Sequence, residues 1–412
     1  MKAQPTLRFK LFNQIWDYDL LINLSINKLL SNGVFNDPAH VGSGYKLINV
    51  VNMYKEPFIY EGDLTLINLD KKIFERNKVS RFDIFFTRSS LVKEGIAWSN
   101  IYLGDSLDIT YDGHLIKFTP DSSKINPLFL NYNLKSSSVR KQLIKKGKTA
   151  TMTTIGQSDV ASCLICFPTL IEQQKIADFL LSVDKKIMLQ SRKIELLQQY
   201  KKGMLQKLFS QKIRFKDDNG ASFSEWNECE LSSIALKVNI KNKDKNISNV
   251  LTNSATRGIV SQADYFDREI VTSSNLGGYY VVNIGDFVYN PRISSSAPVG
   301  PIKMNKHSLG VMSPLYTVFR FTKGNNQFYQ YFFESTQWHD YMKSVANSGA
   351  RHDRMNITTS HFLSLPIPQP LEEEQQKIAD FLSSIDDKIT IENNKLDKLK
   401  QWKQGLLQQM FV

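Results

Sequence analysis

Nine residues, Glu172 to Leu180 (EQQKIADFL), recur unchanged as Glu374 to Leu382, at an offset of 202 in a chain of 412 residues. Such an identity does not arise by chance in so short a chain, so whatever the chain folds into is built twice. The match runs on without a gap. Asp184, Lys186 and Ile187 face Asp386, Lys388 and Ile389, and Lys193, Leu197 and Gln199 face Lys395, Leu399 and Gln401. Gly203, Leu205, Gln206 and Phe209 face Gly405, Leu407, Gln408 and Phe411. Weaker echoes lie upstream. Leu7-Arg8-Phe9-Lys10 returns as Ile213-Arg214-Phe215-Lys216, each followed by a tryptophan (Trp16, Trp226), and Asp83 to Thr87 resembles Asp286 to Asn290. The chain reads as domain, helix, domain, helix, with boundaries at 1–167, 168–210, 211–368 and 369–412.

The duplicated segments have the signature of long helices. Ile176, Leu180, Val183, Ile187, Ile194 and Leu197 fall at spacings of four and three, with gaps, and Ile378, Leu382, Ile385, Ile389, Leu396 and Leu399 hold the same register. That is a heptad-type stripe. Pro168 and Pro370 stand just upstream, glutamates follow near the positive end of the dipole, and neither stretch has an internal proline. Some forty residues at about 1.5 Å each make a helix of roughly 60 Å. The stripe is broken at equivalent places, Gln190 with Glu392 and Lys201 with Lys403. Polar residues at a seam often fix register and partner; the alternative is that they are the solvated ends of an irregular seam. The expectation is an antiparallel coiled coil carrying a globular head at each end of a stiff rod.

The two heads read as mixed α/β domains, giving an α+β chain overall. Short β-like runs such as Lys46 to Val51 and Tyr279 to Ile284 alternate with turn signals at Asn32-Gly33, Asp112-Gly113 and Gly277-Gly278. Helical character is expected near Phe129 to Lys145 and Phe328 to Ser344. The net charge is +12. Residues 171–210 carry +4 and residues 371–412 carry −2, so +10 falls on the rest of the chain. Basic heads suit polyanions, nucleic acid first. Three cysteines are too few and too odd in number for a disulfide framework. No apolar run approaches a membrane span, and the opening residues hold no apolar signal region, so the expectation is a cytoplasmic protein with no membrane partner.

Catalytic patterns fail one by one. Gly147-Lys148-Thr149 resembles the end of a phosphate loop, but Gln142 stands where its first glycine is needed. Gly42-Ser43-Gly44 has Leu47 in place of the third glycine of a dinucleotide fingerprint. Cys163 and Cys166 lie in an apolar stretch with no second pair at zinc spacing, and read as buried strand. No H-E-x-x-H or G-x-S-x-G occurs. The expectation is no catalytic residue and no metal site.

Two variable domains alternating with near-identical helices, each with EQQKIADFL, D-x-K-I and a following glycine-leucine/methionine-leucine-glutamine turn, resemble the specificity subunit of type I restriction–modification systems. The resemblance covers essentially the whole chain. It implies a subunit without catalytic activity of its own, whose two target-recognition domains each read one half of a split, asymmetric site in double-stranded DNA. The helices would set the spacer and dock two methyltransferase subunits, and motor–nuclease subunits would join for restriction. S-adenosylmethionine would sit in the methyltransferase, where a flipped adenine is methylated, and ATP and magnesium in the motor–nuclease. Two alternatives stay open: the recognition subunit of another restriction–modification class, and a coiled-coil scaffold without a DNA role.

Arginine and lysine suit phosphates and guanine, and asparagine and glutamine suit adenine. On that basis the DNA-reading candidates in the first head are Arg88, Ser89, Ser90 and Lys93, with a second polar loop at Lys148, Thr149, Thr151 and Thr153. In the second head they are Arg292, Ser294, Ser295 and Ser296, and then Arg351, His352, Arg354 and Asn356. Trp16 and Trp226 read as core rather than base-stacking platforms.

Overall fold

A computed structural model of the chain describes residues 4–35, 37–265, 273–347 and 353–412. Two long helices dominate it: α1, Leu170–Phe209, and α2, Glu372–Gln409. The chain divides into two compact units, and the division does not follow the four sequence segments. One unit joins residues 1–193 to residues 392–412, and the other is residues 194–391. Each unit is therefore a head together with one part of both helices. The physical reason is that a head buries its apolar surface on the helices, so helix and head share one core.

The first unit is built round an antiparallel sheet in the order Ser25–Asn32, Leu115–Pro120, Ile84–Thr87, Ser99–Ile101. Its inner strand Ile84–Thr87 is buried throughout and alternates between two cores, as the pleat requires. Ile84 and Phe86 join a core that holds the short helices Pro127–Asn133 and Ser137–Lys146. Ile176, Ala177, Leu180 and Val183 of α1 and Leu406 and Met410 of α2 belong to the same core. Phe85 faces the other way, to Met53, Tyr102, Tyr111 and Leu115. A second sheet sets Val41–Ile48 antiparallel to Thr65–Ile67 and parallel to Ile109–Tyr111. The apolar run Lys46 to Val51 is only partly strand. After Ile48 the chain turns into a 3₁₀ helix, Val50–Tyr54, because Asn49 and Asn52 close a reciprocal capping box.

The second unit repeats this plan. Its sheet runs Ala235–Lys237, Thr317–Phe321, Phe287–Tyr289, Ile302–Met304. Phe287 and Tyr289 enter the core with Asn326–Glu334 and the long helices, while Val288 faces a smaller core with Val282, Met312 and Val318. The main core contains Leu205 and Leu208 of α1 and Ile378, Leu382 and Ile385 of α2.

In both units the early turns of one helix share a core with the late turns of the other, an antiparallel pairing. Ile187 and Ile389 lie at the margins of these cores, Ile194 is buried, and Leu197, Leu396 and Leu399 are half-buried. The polar interruptions are cross-helix contacts. Lys403 meets Asp184 at 2.6 Å in the first unit, and Lys201 meets Asp386 at 2.7 Å in the second: one contact made twice at repeat-equivalent positions. Tyr132 donates to Asp184 and Tyr331 to Asp386, completing each pair. Gln190 donates to its own counterpart, Glu392, at 2.6 Å, and Lys193 and Lys395 flank that carboxylate at 3.0 and 2.9 Å.

Candidate nucleic-acid interface

The EQQKIADFL segments hold the heads through their buried residues. Glu172 is almost fully buried and takes a two-pronged contact from Arg8, both arms at 2.7 Å. Glu374 does the same for Arg214 at 3.1 and 2.8 Å and also accepts from the Trp226 indole. Gln173 accepts from the Asn126 backbone and donates to the Pro168 carbonyl, and Gln375 does so with Asn325 and Pro370. Asn126 and Asn325 cap the short helices that follow them. Phe179 meets Phe9 edge-on, as Phe381 meets Phe215. Apart from the two bonds to Pro168 and Pro370, these contacts are long-range in sequence, so the buried residues of the nine tie helix to head. Trp16 is buried in the first core, and Trp226 packs at the edge of the second.

On that mount, each head brings together two loops that lie far apart in sequence. In the first unit Ser89–Ser90 pairs with Thr153–Thr154, which in turn pairs with Lys148–Thr149, in one small antiparallel sheet. Arg88, Lys93, Lys148, Thr149 and Thr151 are exposed on it, and Ser89 and Ser90 are half-buried. Arg88 also donates to the Gly113 carbonyl at 3.2 Å. Thr153 is buried, its hydroxyl 3.0 Å from that of Thr149, so it braces the ribbon from beneath.

Beneath the loop lies a residue that the sequence reading missed. Arg140, on the helix Ser137–Lys146, is buried and donates to the carbonyls of Glu94, Ile96 and Ala97 at 2.7–2.8 Å. Burial pulls its guanidinium below the ordinary arginine value, yet it stays cationic. It locks the backbone that follows Lys93. One arginine on a basic helix gave no signal of this, because its partners are carbonyls more than forty residues away.

In the second unit Arg292 pairs with Arg354 as a β-bridge, and Ile293 donates to the Asp353 carbonyl at 3.0 Å. Arg292, Ser294, Ser295, Ser296 and Asn356 are exposed, and Arg354 is half-buried. Asp353 lies 3.4 Å from Arg292 and 3.9 Å from Arg354, so part of their charge is shared with a carboxylate. Gly300 closes this loop at φ +79°, where a Cβ would stand 2.1 Å from the Asn290 carbonyl oxygen, so only glycine fits. Asn253, Arg292, Ser294, Ser296, Tyr316 and Arg354 line a cleft of about 460 Å³. Arg351 and His352 lie outside the described residues. Among the described residues no group of three or more His, Cys, Asp or Glu could hold a metal ion, and no helix is long and apolar enough to cross a membrane.

Known proteins share this plan. A family model for the type I restriction modification DNA specificity domain matches residues 51–199 and again 223–401, one match for each copy of the repeat. A chain of Methanocaldococcus jannaschii assigned as the type I restriction enzyme MjaX specificity subunit is 26% identical over 339 residues, covering 79% of this chain and 76% of that one. The MjaVIII specificity subunit of the same organism is 24% identical over 311 residues, 71% of each chain. Among solved structures, the S subunit of a type I restriction–modification system from M. genitalium matches 100% of this chain and 99% of its own. Its TM-score is 0.51 at 16% identity, a likeness of fold. Since the family model accounts for most of the chain, and does so twice, the chain belongs to the type I restriction modification DNA specificity family.

Proposed function

We propose that this chain is the DNA-recognition subunit of a type I restriction–modification complex, each head reading one half of a split site in double-stranded DNA. The observation that carries the reading is the pairing of remote polar loops on each head. Residues 88–93 meet 148–154 in the first, and residues 290–297 meet 353–356 in the second. Each paired surface offers arginine or lysine with hydroxyl or amide side chains, the chemistry that positions on phosphates and reads base edges. The surfaces differ in sequence, so the half-sites differ.

The helices fix the number of base pairs between half-sites and supply the surface for two methyltransferase subunits. Bond-making is delegated: S-adenosylmethionine belongs to the methyltransferase, and ATP and magnesium to the motor–nuclease subunits. The complex works in the cytoplasm, where its DNA lies, and needs no membrane.

The test is co-expression of the full chain with the methyltransferase of its complex, followed by mapping of methylated adenines. A two-part motif with a constant gap is expected. Arg88→Ala with Lys148→Ala should degrade or lose the first part and leave the second part readable. A single uninterrupted motif, or one indifferent to both loops, would overturn the reading. Binding should also weaken steeply with salt, by roughly one power of ten in affinity per tenfold salt for each phosphate contact.

A further inference from the structure

The ribbon of the first head has an apolar tip that folding does not explain. Leu91 is 87% exposed and Val92 is 62% exposed. Ser90 pairs with Thr153 at the end of the antiparallel ribbon; Leu91 follows the one, and Met152, which is 42% exposed, precedes the other. Three exposed apolar residues thus stand where the paired strands of this ribbon end. Around them stand Arg88, Lys93 and Lys148, all exposed.

The tip is held firmly. Val92 donates to the Ser90 hydroxyl, Gly95 to the Val92 carbonyl and Ile96 to the Lys93 carbonyl. Arg140 grips the carbonyls of Glu94, Ile96 and Ala97 from below. A rigid loop displaying leucine within a collar of cations fits a polyanion with an apolar interior reachable between its stacked layers. Duplex DNA at a base-pair step is that occupant. A solvent-facing loop tip ordinarily carries small or polar residues, and an exposed apolar cluster marks an interaction surface.

We propose that Leu91, backed by Val92 and Met152, is a wedge that enters a base-pair step at the first half-site and unstacks it while Arg88, Lys93 and Lys148 hold the flanking phosphates. Apolar side chains inserted in this way kink the duplex. An opened step also lowers the work of extruding a neighbouring base into a partner enzyme. Arg140 is a positioning residue for the wedge. In the described part of the second head's paired loops, Ser294, Ser295 and Ser296 are exposed at the corresponding place. This inference rests on the DNA-recognition reading above.

The experiment uses the full chain in complex with its methyltransferase and a duplex bearing the mapped site, with 2-aminopurine placed in turn at each position of the first half-site. Wild type should raise the fluorescence at one step. Leu91→Ala with Met152→Ala should abolish that rise and weaken binding about tenfold, the order expected for losing an intercalated contact. A mismatch at the same step, already unstacked, should restore most of the lost affinity, which a misfolded head would not allow. Arg140→Lys should blur the rise across neighbouring steps. The wedge is overturned if the double variant unstacks the same step as wild type. It is also overturned if the loss of affinity is unaffected by the mismatch, the outcome expected of a surface for a protein partner. If Arg88→Ala with Lys148→Ala leaves the first half-site intact, it is the recognition reading itself that falls.

Discussion

Arg8 and Arg214 show what single residues do here. Each sends its guanidinium, through the surface, onto a carboxylate with almost no exposure, Glu172 or Glu374. Removing one partner of such a pair strands the other in the core, which costs more than the pair itself contributes. Arg8→Met should therefore lower the stability of the first unit by about 3 kcal/mol, read as a lower urea midpoint, the usual size for a broken buried pair. Arg8→Met combined with Glu172→Met should recover much of that loss. A single variant as stable as wild type would show that the contact carries little. The sequence displayed the arginine echo and the glutamate repeat, but not that they meet, because 164 residues separate Arg8 from Glu172. Likewise Arg88 and Lys148 were legible as basic loop residues. Their meeting on one ribbon was not, since strands of two residues carry no periodic signal.

The helices, by contrast, were legible, and so was their polar interruption, because a stripe of period near 3.5 over forty residues has few other meanings. What the stripe could not show is which side chains cross the seam. Lys403 and Asp184 are both largely buried, with exposures of 15% and 3%. Lys403→Leu alone should cost about 3 kcal/mol, and adding Asp184→Leu should return most of it, since paired apolar residues replace a buried ion pair at little cost. A double-mutant cycle by urea unfolding measures the coupling, and purely additive losses would refute it. Glu392 gives the seam a pH dependence. The Gln190 amide first, then Lys395 and Lys193, lower its carboxyl to about 2 from an ordinary 4.5. A depressed carboxyl favours folding only while ionised, so its contribution is complete above pH 4.5 and drains away as the pH falls through about 2. The stability gap between wild type and Glu392→Gln should accordingly hold steady near neutrality and close across that acid window. A gap that stays constant down to pH 2 would show that the charge is not what Gln190 responds to.

At the scale of the whole molecule, the duplication extends to how the chain enters each head. Leu7 donates its backbone N–H to the Gln409 carbonyl at 2.9 Å, and Ile213 donates to the Lys207 carbonyl at 3.2 Å. Subtracting the repeat offset of 202 from 409 gives 207, and Leu7 is the counterpart of Ile213, so these are one hydrogen bond made twice. In the second case the helix runs straight on into the head. In the first, the same junction is formed between segments from opposite ends of the described chain. The junction thus forms both where helix and head are adjacent in sequence and where 402 residues separate them, so a direct link in the latter case should cost little. Joining Val412 to Met1 through a short flexible linker and opening the chain between Ser210 and Lys212 yields a permuted protein with every long-range contact retained. Only Gln211, at φ +57°, loses its place in a continuous backbone there. The permutant should unfold at a urea midpoint close to that of wild type and, with the methyltransferase, mark the same two-part motif with the same gap. If it folds but shifts the gap, the continuity of α1 into the second head is itself part of the ruler. If it reads only one half, that head needs the covalent junction to hold its loops in register.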